Sequence, residues 1–418
     1  MDREYDVVIV GARVAGASLA LLLGQQGRRV LLIDRDSFPS DTLSTHLVGG
    51  NGVHSLRRLG VLDDVLEAGF RRITRARTWV EDCLFEGPSG PDSTYSLAPR
   101  RDVLDALLIR HASESGGVTF HERTHADGLI EEDGRVAGVV VHTADGERRE
   151  VRAQVVVGAD GKYSKVAGWV KAEQYAATPA LRPGYFGYYH GVTPLADPAV
   201  EIFFAHNQIG FIFPMRPGED CLALEIQPEE FETFRANSRA VFEERFRALP
   251  GMAARLQNAS LEGKMQGVRG IENYVRKPYG PGWALTGDAG YLKDFSTGLG
   301  IGDALAQAFM LADALDAALR GADWEASLSA FHRQRDETFL PMYHWTLSAT
   351  QAHDAPSTSI TWLRTALINP HFTRQLMYWL PTVLSGGLPP HLQPMMNAMG
   401  RLFDARPLAD AEDVAAGA

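Results

Sequence analysis

Tyr5-Asp6-Val7-Val8-Ile9-Val10-Gly11-Ala12-Arg13-Val14-Ala15-Gly16 is the stretch that decides the fold. Its first half is a short apolar run of the kind that forms a buried parallel strand. Its second half turns directly into a helical stretch, Ala15 to Gln26, which Gly27 stops. Arg29-Val30-Leu31-Leu32-Ile33 is a second apolar strand, and Asp34 stands at its end. Strand, glycine turn, helix and strand, with an acid roughly twenty residues past the glycines, are the layout of a dinucleotide site. Gly11 permits the tight turn and Gly16 lets the helix pack closely on the strand. The helix N-terminus offers free N–H groups to a pyrophosphate, and Asp34 can accept hydrogen bonds from a ribose. Arg13 stands where such turns usually carry a glycine that lets the backbone approach the phosphates.

Composition sets outer bounds. The chain has 418 residues, enough for two or three domains and a large core. Apolar residues make up 45% and charged residues 22%, ordinary for a globular protein, and the net charge of −11 argues against a nucleic-acid partner. Cys83 and Cys221 lie far apart and read as buried thiols of a reducing compartment, with no metal-ligand spacing around them. The polar start runs straight into a strand and no apolar run approaches membrane-spanning length. The expectation is a cytoplasmic protein without a signal peptide or transmembrane segment.

Further along, Gly52 to Leu66 reads as a helix and Arg71 to Phe85 as a loose strand before the turn cluster Gly87–Asp92. A helix is expected from Arg101 to about Ser115. Strands follow at Val118–His121, Gly128–Glu131, Val136–His142, Arg148–Val151 and Val155–Val157, with hairpin turns at Glu132-Asp133-Gly134 and Ala144-Asp145-Gly146. Gly184 to Gln227 is aromatic and β-like, with His206-Asn207-Gln208 at a hairpin tip. Pro228 to Leu256 reads as helices broken at Pro250-Gly251, and Gly263 to Val275 returns to β. Trp283 to Thr286 is a last strand, and Leu299 to Leu319 a long apolar helix.

Three later stretches join the opening one in order: Arg101 with Leu104; Gly158-Ala159-Asp160-Gly161-Lys162-Tyr163-Ser164; and Gly287-Asp288-Ala289-Gly290 leading to Gly298-Leu299-Gly300. With them the chain resembles the FAD-dependent aromatic hydroxylases typified by para-hydroxybenzoate hydroxylase. It also resembles the geranylgeranyl reductases built on the same fold. The resemblance covers roughly residues 5–320. It implies an α/β fold with a Rossmann-like FAD-binding domain (1–80, 101–178, 271–350) interleaved with a β-rich substrate domain (81–100, 179–270). A C-terminal helical region with a disordered tail follows (351–418). Arg in the middle of the first turn recurs in the class.

The resemblance assigns Gly11, Ala12, Arg13, Ala15, Gly16, Asp34 and Arg35 to the ADP half of FAD. Arg101, Asp160 and Gly161 fall near the pyrophosphate, and Gly287 and Asp288 beside the ribityl chain. Gly298, Leu299 and Gly300 open a helix toward the flavin's pyrimidine edge, where its N-terminus stabilises negative charge. NADPH or NADH is the implied reductant. With O₂ the flavin would then oxygenate an aromatic, polyketide-like or terpenoid small molecule of secondary metabolism. Tyr188, Phe203, Phe211, Phe213 and Phe295 are the expected substrate-pocket aromatics, although for any one of them a core or sheet-packing role is the better reading. His46, His190 and His206 are the candidate acid/base residues, each with an ordinary structural role as the plainer reading. Arg71, Arg72, Arg75 and Arg77 could draw a 2′-phosphate, or form a solvated strand face.

Two alternatives stay open. The family's Gly-Asp stretch carries a proline seven positions after the acid. Here that position is Phe295, and Thr297-Gly298-Leu299-Gly300-Ile301 resembles the version found in reductases of carbon–carbon double bonds. A redox-inactive binding protein of the same fold is the other alternative, and the intact Asp34, Asp160 and Asp288 argue against it. The flavin halogenases are set aside because no lysine precedes Lys162 and no Trp-x-Trp occurs.

Overall fold

The computed structural model describes residues 4–89 and 95–350. The opening strand is Tyr5–Val10, the first helix Val14–Gln25 and the second strand Val30–Ile33, as the sequence predicts. Val7 and Ile9 enter one hydrophobic cluster while Val8 and Val10 enter another, so both faces of the strand are covered. That is why the strand is apolar without alternation. The helix behind it is buried along most of its length, packed against the helices Arg101–Glu114 and Gly300–Leu319. A helix enclosed on every side has no polar stripe to show.

The strand belongs to an eight-stranded sheet. Its main order is Tyr279–Gly280, Trp283–Leu285, Arg148–Gly158, Tyr5–Val10, Val30–Ile33, Val118–His121, with the hairpin strands His125–Glu132 and Arg135–His142 carried off Arg148–Gly158. The parallel ladders are in register: Val10 lies beside Ile33 and Gly158, Ile33 beside His121, and Gly158 beside Leu285. Five strands therefore end on one row. The chain leaves that row at Gly11, Asp34, Ala159 and Thr286, where three of the expected motifs and the terminal acid begin.

A second sheet of seven strands runs Ser260–Val268, Gly184–His190, Glu219–Glu225, Gln208–Pro214, Ala199–Ala205, Arg75–Val80, Cys83–Pro88. One of its faces is covered by the helices Phe231–Ala236, Ser238–Arg247 and Met252–Arg255, through Tyr185, Tyr189, Phe203, Leu222, Phe242 and Phe246. The other face carries Phe186, Tyr188, Cys221, Ala223, Phe211 and Phe213 into the main core. A small three-stranded sheet (Gln174–Thr178, Asn273–Arg276, Tyr291–Leu292) completes the β structure.

Several boundaries differ from expectation. The helix expected over Gly52–Leu66 is two, Gly50–Leu59 and Leu62–Glu67, because Gly60 takes a left-handed conformation between them. The loose strand Arg71–Phe85 is a hairpin, Arg75–Val80 with Cys83–Pro88, and its first strand pairs in parallel with Ala199–Ala205. The second sheet thus draws its first strand from Arg75 onward. Arg148–Val151 and Val155–Val157 are one strand, antiparallel to its hairpin partner at first and parallel to Tyr5–Val10 afterwards. The change of partner explains why its sequence shifts from charged to wholly apolar. Gln174–Thr178 gave no strand signal. Cys221 is a buried free thiol, the side chain of Cys83 lies outside those described, and so does the expected helical region 351–418. No helix among the described residues is long and apolar enough to cross a membrane.

Gly11 has φ 103°, and a Cβ there would stand 2.4 Å from the carbonyl oxygen of Ala159. Gly11→Ala is expected to lower the unfolding free energy by about 2–4 kcal/mol, from strained backbone and a backbone collision together. Denaturant unfolding measures it, and an unchanged midpoint would show that the two turns are not in contact.

Candidate active site

The turns leaving the common row touch one another. Gly11 abuts Ala159, and a Cβ on Gly287, whose φ is 58°, would stand 2.7 Å from Cβ of Ala15. Around them lies a cavity of about 560 Å³, within the ordinary range for a small-molecule site. Its lining includes Gly11, Arg13, Val14, Ala15, Asp34 and Arg35 of the opening unit, Arg101, Asp160, Gly161, Gly287, Asp288 and Gly300 of the later motifs, and the apolar Phe186, Ala223, Ile271, Leu292 and Phe295. Of the residues expected to bind FAD, eleven face this cavity and four do not: Ala12, Gly16, Gly298 and Leu299. Ala12 contributes indirectly, since its N–H donates to the Asp34 carboxylate at 2.7 Å.

The residues fit a dinucleotide. The Val14–Gln25 helix has no side-chain cap and no acid in its first turn, so its N–H groups and positive dipole end are left to the cavity. Asp34 accepts from the N–H of Ala12 and of Asp36 (2.9 Å), which fixes its carboxylate at the strand end. Burial raises its pKa above the ordinary range, and those two N–H groups hold it down. Asp288 is open to the cavity. Enclosure by the surrounding protein raises its pKa, opposed by Arg101, Lys293 and Lys162.

Two of these side chains are engaged within the protein. The Arg13 guanidinium is taken by Asp105 (2.9 Å), Asp36 (3.0 Å) and Ser40. It clamps the 36–41 loop to the Arg101–Glu114 helix instead of offering its charge to a phosphate. The Asp160 carboxylate accepts from the Ser164 hydroxyl (2.6 Å) and from the N–H of Lys165 and Val166, so it shapes its own turn. Arg101 gives two donors to Asp105, at 3.1 Å each, and still lines the cavity.

The three candidate histidines do not line the cavity. His190 is exposed, bonded to Glu262 (2.9 Å) and the Gly218 carbonyl. His206 is exposed at a hairpin tip with φ 53°. His46 is fully buried behind the wall formed by Leu43, Ser44, Thr45 and Phe186. Its Nδ1 is 3.2 Å from the Pro99 carbonyl and its Nε2 is 3.1 Å from the Tyr188 hydroxyl. That hydroxyl in turn donates to Asp41 at 2.8 Å. Burial, reinforced by Arg101, lowers the His46 pKa to about 3. The neutral ring donates from Nδ1 and keeps Nε2 as an acceptor, so one Tyr188 proton faces two acceptors.

Among the expected pocket aromatics, Phe295 alone lines the cavity. Phe203 points to the opposite face, against Trp79 and Phe246, because side chains alternate along a strand. Tyr188, Phe211 and Phe213 are on the cavity side but buried within the sheet packing. Arg75 and Arg77 are paired with Glu86, and Arg77 also with Glu201. None of the four arginines from 71 to 77 lines the cavity. The sequence reading missed His125, Lys162, Lys165, Lys293 and Asp294 as lining residues. Lys162 and Lys165 flank the Asp160 turn and were open to notice. Lys293 and Asp294 gave no signal beyond their place in the Gly-Asp stretch.

A buried histidine that must stay neutral makes the fold acid-labile. Its contribution is present above the unfolded histidine pKa of about 6.5 and is lost as pH falls below it. The stability difference between the native chain and His46→Gln is expected to shrink steadily on acidification. Unfolding curves at several pH values check this, and a difference independent of pH would contradict it.

Comparison with known proteins sets this geometry in context. A brominase of Pseudoalteromonas luteoviolacea that acts on 1H-pyrrole-2-carbonyl-[peptidyl-carrier protein] is 26% identical over 338 residues, 79% of this chain and 81% of that enzyme. The 6-methylpretetramide 4-monooxygenase of Streptomyces rimosus is 36% identical, but over only 38% of this chain and 39% of that enzyme. The myxobacterial chondrochloren halogenase CndH superposes with a TM-score of 0.79 at 19% identity, covering 98% of this chain and 92% of that one. Overall likeness therefore runs to halogenases as well as hydroxylases and does not support setting the halogenases aside. No lysine precedes Lys162 in this chain and no Trp-x-Trp occurs in it. The family model described as FAD binding domain matches residues 4–344, and the chain belongs to that family of FAD-dependent oxidoreductases.

Proposed function

We propose that the chain is a flavin monooxygenase that takes electrons from NADPH or NADH and oxygenates an electron-rich aromatic, polyketide-like or terpenoid small molecule. The observation that carries this reading is the continuity of the cavity, from the carboxylate of Asp34 to the apolar wall of Phe186, Ala223, Ile271, Leu292 and Phe295. When bound, FAD supplies two-electron reduction and the activation of O₂. In this reading Asp34 holds the adenosine ribose and the N-terminus of the Val14–Gln25 helix holds the pyrophosphate. Asp288 holds the ribityl hydroxyls. The apolar wall excludes water from the reacting end. Tyr188, flanked by Asp41 and His46, is a buried hydroxyl that would pass a proton toward that wall from behind it.

One observation favours a second reading, reduction of a carbon–carbon double bond. Phe295 fills the position of the family's proline and lines the cavity, so the apolar wall reaches the place where O₂ would be handled. The two readings separate in a single experiment. The FAD-loaded protein is mixed with NADPH, with and without O₂ and halide, and flavin absorbance and products are followed. Rapid O₂-dependent reoxidation with an oxygenated product supports the oxygenase. Oxygen-insensitive saturation of a polyprenyl substrate would favour the reductase, and a halide-dependent halogenated product would overturn both. Asp288→Ala is expected to weaken FAD retention at least about tenfold, the worth of one charge-assisted hydrogen bond. Flavin released from the purified variant measures this, and unchanged content would show that Asp288 does not touch the cofactor.

A further inference from the structure

Glu225 ends the strand Glu219–Glu225 and is fully buried. Strand alternation puts it on the same face as Cys221 and Ala223, the face turned toward the cavity. Among the described residues neither of its carboxyl oxygens has a hydrogen-bond partner, and neither does Oδ2 of Asp294, which is 1% exposed. The two carboxyl groups are within hydrogen-bonding reach of each other. The surrounding groups are few. The other oxygen of Asp294 accepts from the N–H of Ser296 (3.0 Å), and the Asp294 N–H donates to the side-chain oxygen of Asn273 (2.6 Å). The hydroxyls of Ser296 and Thr350 pair at 2.6 Å beside it. Arg182 is the cation facing Glu225, and its guanidinium donates to the carbonyls of Thr350 (2.7 Å) and Asn207 (3.0 Å).

Two adjacent carboxylates in a site closed to water cannot both stay ionised. Two facing carboxyl groups with unpartnered oxygens are the arrangement that one proton resolves, since it turns repulsion into a short hydrogen bond between acid and carboxylate. Burial and the neighbouring Asp294 raise the pKa of Glu225 well above the ordinary range, against the pull of Arg182.

We propose that Glu225 and Asp294 hold one proton between them, and that this bond fastens the seven-stranded sheet to the turn that carries Phe295. Phe295 follows Asp294 directly. Its ring rests on Gly184, where a Cβ would stand 2.2 Å from the ring atom Cζ. Gly184 is the ladder partner of Glu225. The same rung of the sheet therefore carries the acid and seats the aromatic that closes the cavity. Beyond Phe295 the chain turns at Gly298 and enters the Gly300–Leu319 helix, whose first residues line the cavity. The pair consists of positioning residues: they act through Phe295 and the helix start, with Asp294 at the cavity wall and Glu225 outside its lining.

The sign of the pH dependence follows. The folded state keeps a proton that the unfolded chain releases in the ordinary carboxylate range. The stability it carries is complete below that range and is lost as pH rises through the raised value. Loss of the proton parts the sheet from the turn, and FAD affinity falls with it.

The test uses the full-length protein and two readouts. Infrared spectra in D₂O at neutral pH are expected to show the carbonyl stretch of a protonated, buried carboxylic acid, absent from Glu225→Gln. FAD affinity of the native chain is expected to fall about tenfold on the alkaline side. In Glu225→Gln the amide donates to Asp294 and cannot ionise, so affinity should stay level over the same range. If Glu225→Gln does not fold, Asp294→Asn is read for the alkaline profile, with the same level response expected. A native spectrum without the acid band, a band that persists in Glu225→Gln, or the same alkaline loss in native chain and variant would overturn the proposal. The infrared band is a property of the protein alone, so it stands or falls apart from the choice between oxygenase and reductase.

Discussion

The site depends on one register. Val10, Ile33, Gly158 and Leu285 lie side by side at the ends of parallel strands, and each is followed at once by a turn that faces the cavity. Sequence separations of more than a hundred residues collapse to van der Waals contact because the strands are parallel and end together. This is the crevice beyond the carboxyl ends of a parallel sheet where dinucleotides are bound. Slipping any one strand would move its turn out of the cluster, and the backbone approaches at Gly11 and Gly287 leave no space to compensate.

Charge is arranged around that crevice with few loose ends. Asp105 is shared by Arg13 and Arg101, which join the first turn, the 36–41 loop and the Arg101–Glu114 helix into one unit. Lys293 pairs with Asp303 in the first turn of the Gly300–Leu319 helix, beside Asp288. Such pairs add little net stability when buried, but breaking one leaves a charge stranded. Their effect is to fix geometry: the loops that would hold a cofactor are tied to the scaffold by side chains that do not themselves need to meet it.

Much of this was legible in the sequence. The strand–turn–helix opening, the Asp160 and Asp288 turns and the Gly300–Leu319 helix all follow from local patterns, because each is short-range chemistry with a glycine or an acid at a fixed place. What could not be read was set by parity and by partner. Phe203 and Phe211 look equivalent in sequence, but only their positions along paired strands decide which face they take. His46 looked like a loop residue near a ligand, and it is instead locked between Pro99 and Tyr188 behind the wall. Arg13 looked only like a glycine replaced in the turn, and its partner Asp105, ninety-two residues away, could not be read from it. Glu225 carried no signal at all, since its character comes from Asp294 in another layer.

The central claim is that the opening turn and Asp34 serve the ADP half of FAD while the later turns serve the flavin half. Titrating the flavin-free protein with FAD and with FMN tests it most directly. FAD should bind at least about a hundredfold more tightly than FMN. Asp34→Ala should erase most of that margin while leaving FMN affinity where it was. Equal affinity for the two flavins, or an Asp34→Ala variant that loses both alike, would contradict the account.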